Sequence, residues 1–102
     1  MEEVKIINLQ SEGLKVSLSG DIDLGNAENF YQEVITAYAE NPADILFDCE
    51  NLNFIDSTTL GTFVKILKNV KENGHTVRLT NLQAKIKKLF LICSLDKIFQ
   101  ID

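Results

Sequence analysis

The sequence is poor in the residues that build covalent or metal-stabilised folds. Its 102 residues include two cysteines, one histidine, one proline and no tryptophan. Cys49 and Cys93 stand apart with no Cys-x-x-Cys spacing, which argues against both a disulfide framework and a zinc site. We predict that Cys93, on the apolar side of a predicted helix, is a small buried side chain. The single histidine, His75, follows Asn73-Gly74 in a predicted turn, where we expect a solvated ring.

Long hydrophobic runs are also absent. No apolar run approaches the ~20 residues that a helix needs to span a membrane. The first five residues, Met1-Glu2-Glu3-Val4-Lys5, have neither the basic segment nor the apolar segment of a signal peptide. We therefore expect a cytoplasmic protein without a membrane partner. The length fits one domain, residues 1–102, because a chain of this size can bury over ~60% of its unfolded surface.

The charge is acidic overall but unevenly distributed. The net charge is −5, with eleven acids and two bases in residues 1–51 and four acids and eight bases in residues 52–102. An acidic half of this kind argues against nucleic-acid binding, which depends on basic side chains that displace counterions from phosphates. The lysines of the second half lie on the polar faces of two predicted helices, where they form a solvated surface or a patch for an acidic partner. They are Lys65, Lys68, Lys71, Lys85, Lys87 and Lys88.

Hydrophobic periodicity predicts five strands and three helices in alternation. The predicted strands are 4–9, 14–18, 45–47, 76–79 and 98–101. A turn at Glu12-Gly13 joins the first two strands as a hairpin. The first predicted helix begins near Gly25 and ends at Asn41-Pro42, because proline cannot continue it. Ile45-Leu46-Phe47 is an unbroken apolar run and predicts a strand buried on both faces.

The order β-β-α-β-α-β-α-β predicts a single-domain α/β fold. Its sheet should be mixed and mostly parallel, with about five strands, an antiparallel first strand and helices packed on it. In open sheets of this kind, function gathers where strands end and helices begin. The segments to examine are therefore 48–61 and its expected neighbour, 20–25.

A helix start with several hydroxyl groups lies in the first of these segments. Asp56 or Ser57 can cap the second predicted helix, because either side chain can accept from unpaired backbone N–H groups. A phosphate on Ser57 would also be tolerated there, since the helix dipole and free N–H groups stabilise anions. Phosphorylation would then change the surface that a partner protein meets and leave the fold intact.

Three motifs in this order and spacing resemble the STAS domain, and in particular the bacterial anti-sigma factor antagonists. The motifs are Gly20-Asp21-Ile22-Asp23, Asn51-Leu52-Asn53-Phe54-Ile55-Asp56-Ser57-Thr58-Thr59-Leu60-Gly61 and Lys87-Lys88-Leu89-Phe90. The resemblance covers nearly the whole chain. It implies a STAS-like fold, no catalytic residues, and a monomer that exchanges protein partners.

The resemblance also implies partners and site residues. Such a protein binds an anti-sigma factor that is also a serine kinase, and so releases a sigma factor; a serine phosphatase reverses the phosphorylation. Ser57 matches the phosphorylated serine. The implied partner-binding residues are Asp21, Asp23, Asp56, Ser57, Thr58, Thr59, Leu60 and Gly61. ATP would belong to the kinase, so no cofactor is implied for this chain.

Thr59 departs from the family pattern, which has glycine at that position. A glycine would let a partner backbone approach closely, whereas threonine adds a branched side chain. The substitution bears on which partner binds and how tightly. Thr58 and Thr59 also offer further hydroxyl groups for phosphorylation.

Three alternatives remain at the level of sequence. A phosphoaccepting receiver domain would use Asp48, at the end of a predicted strand, with Asp21 and Asp23 holding a metal. A hydrolase would use Asp48, Glu50 and Asp56 as acid and base groups. A constitutive STAS adaptor of a transporter or stress-signalling complex would use the same fold without reversible phosphorylation.

Overall fold

A single five-stranded sheet organises the molecule. The computed structural model describes residues 4–8 and 13–102, with side chains from residue 13 onwards. The strands are β1 (Val4–Asn8), β2 (Leu14–Ile22), β3 (Ile45–Ile55), β4 (Val77–Thr80) and β5 (Gln100–Ile101), in the spatial order β1-β2-β3-β4-β5. β1 is antiparallel to β2 and the other pairs are parallel, which confirms the predicted mixed sheet. The predicted turn at Glu12-Gly13 extends into residues 9–12, which lie outside the described residues.

Three helices follow the parallel strands: α1 (Ala27–Glu40), α2 (Ser57–Glu72) and α3 (Ala84–Ile92). A short 3₁₀ helix, Leu95–Lys97, leads into β5. Phe63 of α2 lies at the centre of the core and makes edge-to-face contacts with four other rings. Its partners are Phe30, Phe47, Phe90 and Phe99, at centroid distances of 5.2, 5.2, 5.6 and 6.4 Å. This aromatic cluster joins all three helices to the sheet.

The third strand is longer and more exposed than its sequence indicates. β3 spans 11 residues, and Leu46 is only half-buried while Ile45 and Phe47 are buried. The prediction of a strand buried on both faces is therefore wrong. The neighbours of Leu46 in the sheet register are Lys15 and Arg78, residues with long aliphatic stems that tolerate a partly solvated face.

Two single-residue predictions also need correction. Cys93 is exposed, because α3 ends at Ile92 and the apolar periodicity continues past the end of the helix. His75 is only partly exposed and not fully solvated: its Nδ1 lies 2.6 Å from the Tyr38 hydroxyl, and the two rings meet edge to face. Cys49 is buried, which raises the pKa of its thiol to about 12, so the thiol stays protonated and unreactive near neutral pH.

Within residues 13–102, no group of His, Cys, Asp and Glu side chains has a metal-binding arrangement. None of the helices described is long and apolar enough to cross a membrane.

Candidate docking site at the start of the second helix

The carboxyl ends of β2 and β3 bring the two predicted segments together. Ile22 ends β2 and pairs in register with Ile55, which ends β3. The residues that follow, Asp23 and Asp56, therefore leave the same edge of the sheet side by side. The loop between β2 and α1 thus lies against the start of α2, as predicted from the order of elements.

Asp56 is the side chain that joins the two segments. One carboxylate oxygen accepts from the Thr59 backbone N–H at 2.9 Å, which caps α2, and the other accepts from the Leu24 backbone N–H at 2.9 Å. These bonds favour the ionised form, so the pKa of Asp56 is lowered, first by the Thr59 N–H and then by the Thr59 hydroxyl and the Leu24 N–H. Of the two capping candidates, Asp56 is the cap.

Ser57 is the first residue of α2, and its side chain is exposed. Its hydroxyl makes no hydrogen bond to any atom of residues 13–102, because Asp56 has taken the capping role. Thr58 and Gly61 lie exposed on the same first turns of the helix. A methyl group added at Gly61 would meet no heavy atom within 4 Å in the described part of the chain, apart from its own helix backbone. The helix surface at Gly61, one turn after Ser57, is therefore open.

Thr59 and Leu60 point into the protein. Thr59 is 0% exposed, and Leu60 is 8% exposed and belongs to the hydrophobic core. The expectation that the Thr59 side chain stands on the docking surface is therefore wrong. The first turn of α2 directs that side chain toward the end of β2, where its hydroxyl donates to the Ile22 carbonyl oxygen. For the same reason Thr59 does not present a hydroxyl for phosphorylation.

The β2–α1 loop is held by its own side chains. Asp23 accepts the Gly25 N–H at 2.9 Å through its carboxylate, and Asn26 accepts the Asp23 N–H at 2.8 Å. The Asn26 side chain also donates to the Asp21 carbonyl oxygen at 2.9 Å. The Asp21 side chain itself is exposed, and that of Asp23 is partly exposed. Both carboxylates therefore add negative charge to the loop that Asp56 joins to the start of α2.

Two exposed apolar side chains at this end were not singled out from the sequence. Leu24 is 76% exposed in the loop, and Phe54 is 49% exposed beside Asp21 in the register of β2 and β3. The sequence did carry a signal for Leu24, since a large apolar residue within a polar loop before a helix indicates an exposed apolar side chain. Phe54 lies beyond the predicted strand 45–47, and in the structure it stands on the exposed side of the longer β3.

The structure separates the residues that a receiver domain would need. Asp48 lies within β3 and not at its end, and its register partner on β2 is Ser17, well before Asp21. Asp48 is bonded to Asn81 at 3.1 Å and lies 3.7 Å from the Lys15 ammonium group. These contacts, first that of Asn81, lower the pKa of Asp48. The prediction that Asp48 ends a strand is wrong, so the receiver alternative is not supported. Of the carboxylates in the hydrolase alternative, Asp48 and Glu50 lie two residues apart on β3, and Asp56 caps α2.

Comparisons with known proteins agree with this fold. The model of the STAS domain family matches residues 5–102, and the chain belongs to that family. The anti-sigma-B factor antagonist of Bacillus subtilis is 34% identical over 89 residues, which cover 87% of this chain and 81% of the relative. Among solved structures, the anti-sigma factor antagonist SpoIIAA in its unphosphorylated form superposes with a TM-score of 0.76 at 18% identity, over 97% of this chain and 86% of that one. Phosphorylated SpoIIAA of Bacillus superposes with a TM-score of 0.75 at 19% identity, over 97% and 90% of the two chains.

Proposed function

We propose that this chain is an anti-sigma factor antagonist that acts as a phosphorylation-controlled partner switch. Unphosphorylated, it binds an anti-sigma factor with serine kinase activity and so releases a sigma factor. Phosphorylation of Ser57 ends that binding, and a serine phosphatase restores it. The chain works by binding and not by catalysis, as a cytoplasmic monomer that needs no cofactor.

The observation that carries this proposal is the hydroxyl of Ser57, which is not used in a hydrogen bond within residues 13–102. Its side chain is exposed at the first residue of α2, while the neighbouring Asp56 supplies the helix cap. A kinase can therefore reach and modify Ser57 without breaking a hydrogen bond that the fold needs. The positive end of the helix dipole also favours a phosphate at this position, so the modified protein stays folded.

The electrostatics of the site support an effect on binding. A phosphate adds about −1.5 to −2 charges. It would join the carboxylates of Asp21, Asp23 and Asp56, which already make this end of the molecule negative. If a partner buries this surface against apolar or acidic groups, the unpaired dianion costs about 2–5 kcal/mol, or roughly 30-fold to several thousand-fold in affinity.

The docking surface that follows from the exposed side chains surrounds Ser57. It comprises Asp21, Asp23, Asp56, Thr58 and Gly61, with the edge of Leu60 as a minor contributor. Gly61 is the flat point of this surface, where a partner backbone can approach closely. Thr58 offers a second exposed hydroxyl one residue from Ser57, and so provides a matched control.

The test uses four proteins with the purified anti-sigma factor: wild type, Ser57→Ala, Ser57→Asp and Thr58→Ala. Incubation with ATP and the anti-sigma factor, followed by mass spectrometry, should place the phosphate on Ser57 in wild type and Thr58→Ala. Titration without ATP should give near wild-type affinity for Ser57→Ala and a loss of at least tenfold for Ser57→Asp. Thr58→Ala, which removes a side chain of the docking surface, should bind only slightly more weakly than wild type, so that it controls for the position of the phosphate and for the size of the effect at residue 57.

A pull-down from native lysate with the same four baits tests the alternative of a constitutive adaptor. A kinase-like protein recovered with all baits except Ser57→Asp supports the switch. Equal recovery of one partner by all four, or recovery of a transport subunit, contradicts it and favours the adaptor.

A further inference from the structure

Thr59 makes contacts that reach beyond its own helix. Its side chain is 0% exposed. Its hydroxyl oxygen lies 3.0 Å from the Asp56 carboxylate and also within hydrogen-bonding distance of the Ile22 carbonyl oxygen. The single hydroxyl proton therefore lies between an acceptor in the helix cap and an acceptor at the end of β2.

These contacts flank Asp23 on both sides. The Thr59 hydroxyl holds the carbonyl group of Ile22, the residue before Asp23. The Asp56 carboxylate holds the N–H of Leu24, the residue after it. Residues 22–24 are thus fastened to the first turn of α2 at two points, and Asp23 and Leu24 are presented next to Ser57.

We propose that Thr59 is a positioning residue of the docking surface: its buried hydroxyl, together with Asp56, fixes residues 22–24 against the start of α2. This inference rests on the proposed function for its consequence in binding, but its structural part stands on the contacts alone. A loop that is fixed before binding loses less conformational freedom when the partner docks, so the contacts strengthen binding without touching the partner.

Helix capping alone does not account for the hydroxyl. The Asp56 carboxylate already accepts the Thr59 backbone N–H, which completes the cap without any side chain at residue 59. The hydroxyl adds a bond to a different element, β2, across 37 positions of sequence. A side chain of the same shape without the hydroxyl would fill the space and lose only the contacts of the hydroxyl with Ile22 and Asp56, while the backbone cap stays in place.

Thr59→Val and Thr59→Ser form the matched pair for the test. Valine keeps the branched shape and removes the hydroxyl, whereas serine keeps the hydroxyl and removes a methyl group. Amide hydrogen exchange is measured on the isolated proteins by NMR, with the Phe63 amide as a reference for global opening. We expect the exchange rate of the Leu24 amide to rise about fivefold in Thr59→Val, the factor that one lost net hydrogen bond predicts. It should stay near wild type in Thr59→Ser.

Affinity for the anti-sigma factor provides the second measurement. Thr59→Val should bind about fivefold more weakly, from the same lost hydrogen bond, and Thr59→Ser should restore most of the loss. Unchanged exchange at Leu24 in Thr59→Val overturns the inference, as does a serine variant that behaves like valine. A rise of equal size at Leu24 and Phe63 also overturns it, because that result indicates general destabilisation. If wild type itself does not bind the anti-sigma factor, the proposed function fails, and the exchange comparison still decides whether Thr59 positions the loop.

Discussion

The starts of α2 and α3 follow neighbouring parallel strands at the same edge of the sheet, yet they are built differently. At α2, the Asp56 side chain accepts a backbone N–H and brings negative charge to the positive end of the helix dipole. At α3, the Gln83 side chain makes no capping bond and donates to Asn53 at 3.0 Å, and Lys85 lies in the first turn. The start of α2 is therefore stabilised by the Asp56 side chain. The start of α3 has no side-chain cap, and the positive charge of Lys85 interacts unfavourably with the helix dipole there.

This difference shows which side chains at each helix start are needed for the helix and which can change without loss of the fold. At α2, the Asp56 carboxylate accepts from both the helix and the neighbouring loop, so that capping does not require the Ser57 hydroxyl. At α3, Gln83 makes a surface hydrogen bond with Asn53, and Lys85 adds a positive charge; neither side chain caps the helix. The contrast between these two helix starts can be tested by substitutions at each of them.

Asp56→Ala should destabilise the protein more than any other change discussed here. It removes the cap of α2 and the acceptor of the Leu24 N–H together, so we expect the Tm to fall by roughly 5 °C or more. Gln83→Ala is the matched control at the same position of α3, and it should change the Tm by about 2 °C or less, because no capping bond is lost. Equal shifts in thermal unfolding for the two variants would contradict the contrast between the helix starts.

Acid should weaken the start of α2 selectively. The pKa of Asp56 is lowered in the folded protein by the hydrogen bonds that it accepts. Its contribution to stability is therefore complete above the unfolded pKa of about 3.9 and is lost as the pH falls through the lower folded value. Unfolding by urea between pH 6 and pH 2.5 should show this loss in wild type.

Asp56→Asn provides the comparison, since asparagine is a good cap but does not titrate. This variant should have a shallower loss of stability in acid than wild type. A residual slope is expected from Asp48, whose pKa is also lowered by its neighbours. Identical pH profiles for wild type and Asp56→Asn would show that the Asp56 carboxylate is not held as described.

Much of the site was predictable from the sequence because parallel topology determines it. Once alternating strands and helices are recognised, segments 20–25 and 56–61 must leave the same edge of the sheet. The length of β3 was not predictable from periodicity. Its pairing with β2 shifts register between Ser17 and Ser19 and again between Gly20 and Asp21, and such irregularities break the alternation of apolar residues.

The inward orientation of the Thr59 side chain could not be predicted from the sequence for a different reason. Which residues of a helix face inward at its first turn depends on the angle at which the chain leaves the preceding strand. The sequence shows adjacent hydroxyl residues at 57, 58 and 59, but only the first two are exposed. The position of Cys93 was missed similarly, because the helix ends before Ser94, which has a left-handed backbone conformation with φ of 58°.

Gly61→Ala should show that the glycine, which keeps the surface of α2 open, lowers the stability of the helix. A glycine within a helix is about 0.5–1 kcal/mol less favourable than alanine, and nothing in the described residues fills the space beside it. The variant should therefore be more stable by this amount in urea unfolding, yet bind the anti-sigma factor more weakly because the added methyl group prevents close approach. A variant that gains stability and keeps its affinity would remove Gly61 from the docking surface.

Lys85→Glu, at the start of α3, should give the smallest change in stability. Replacing a positive charge by a negative one in the first turn of this helix should stabilise the fold by about 0.3–1 kcal/mol at low salt. The gain should shrink in 0.5 M salt, where exposed charges are screened. Lys68→Glu, three turns after the start of α2, is the control and should show no such gain, since the dipole favours a negative charge only in the first turn of a helix. A stability gain at Lys85 that is independent of salt would mean that the lysine is unfavourable there for a reason other than the helix dipole.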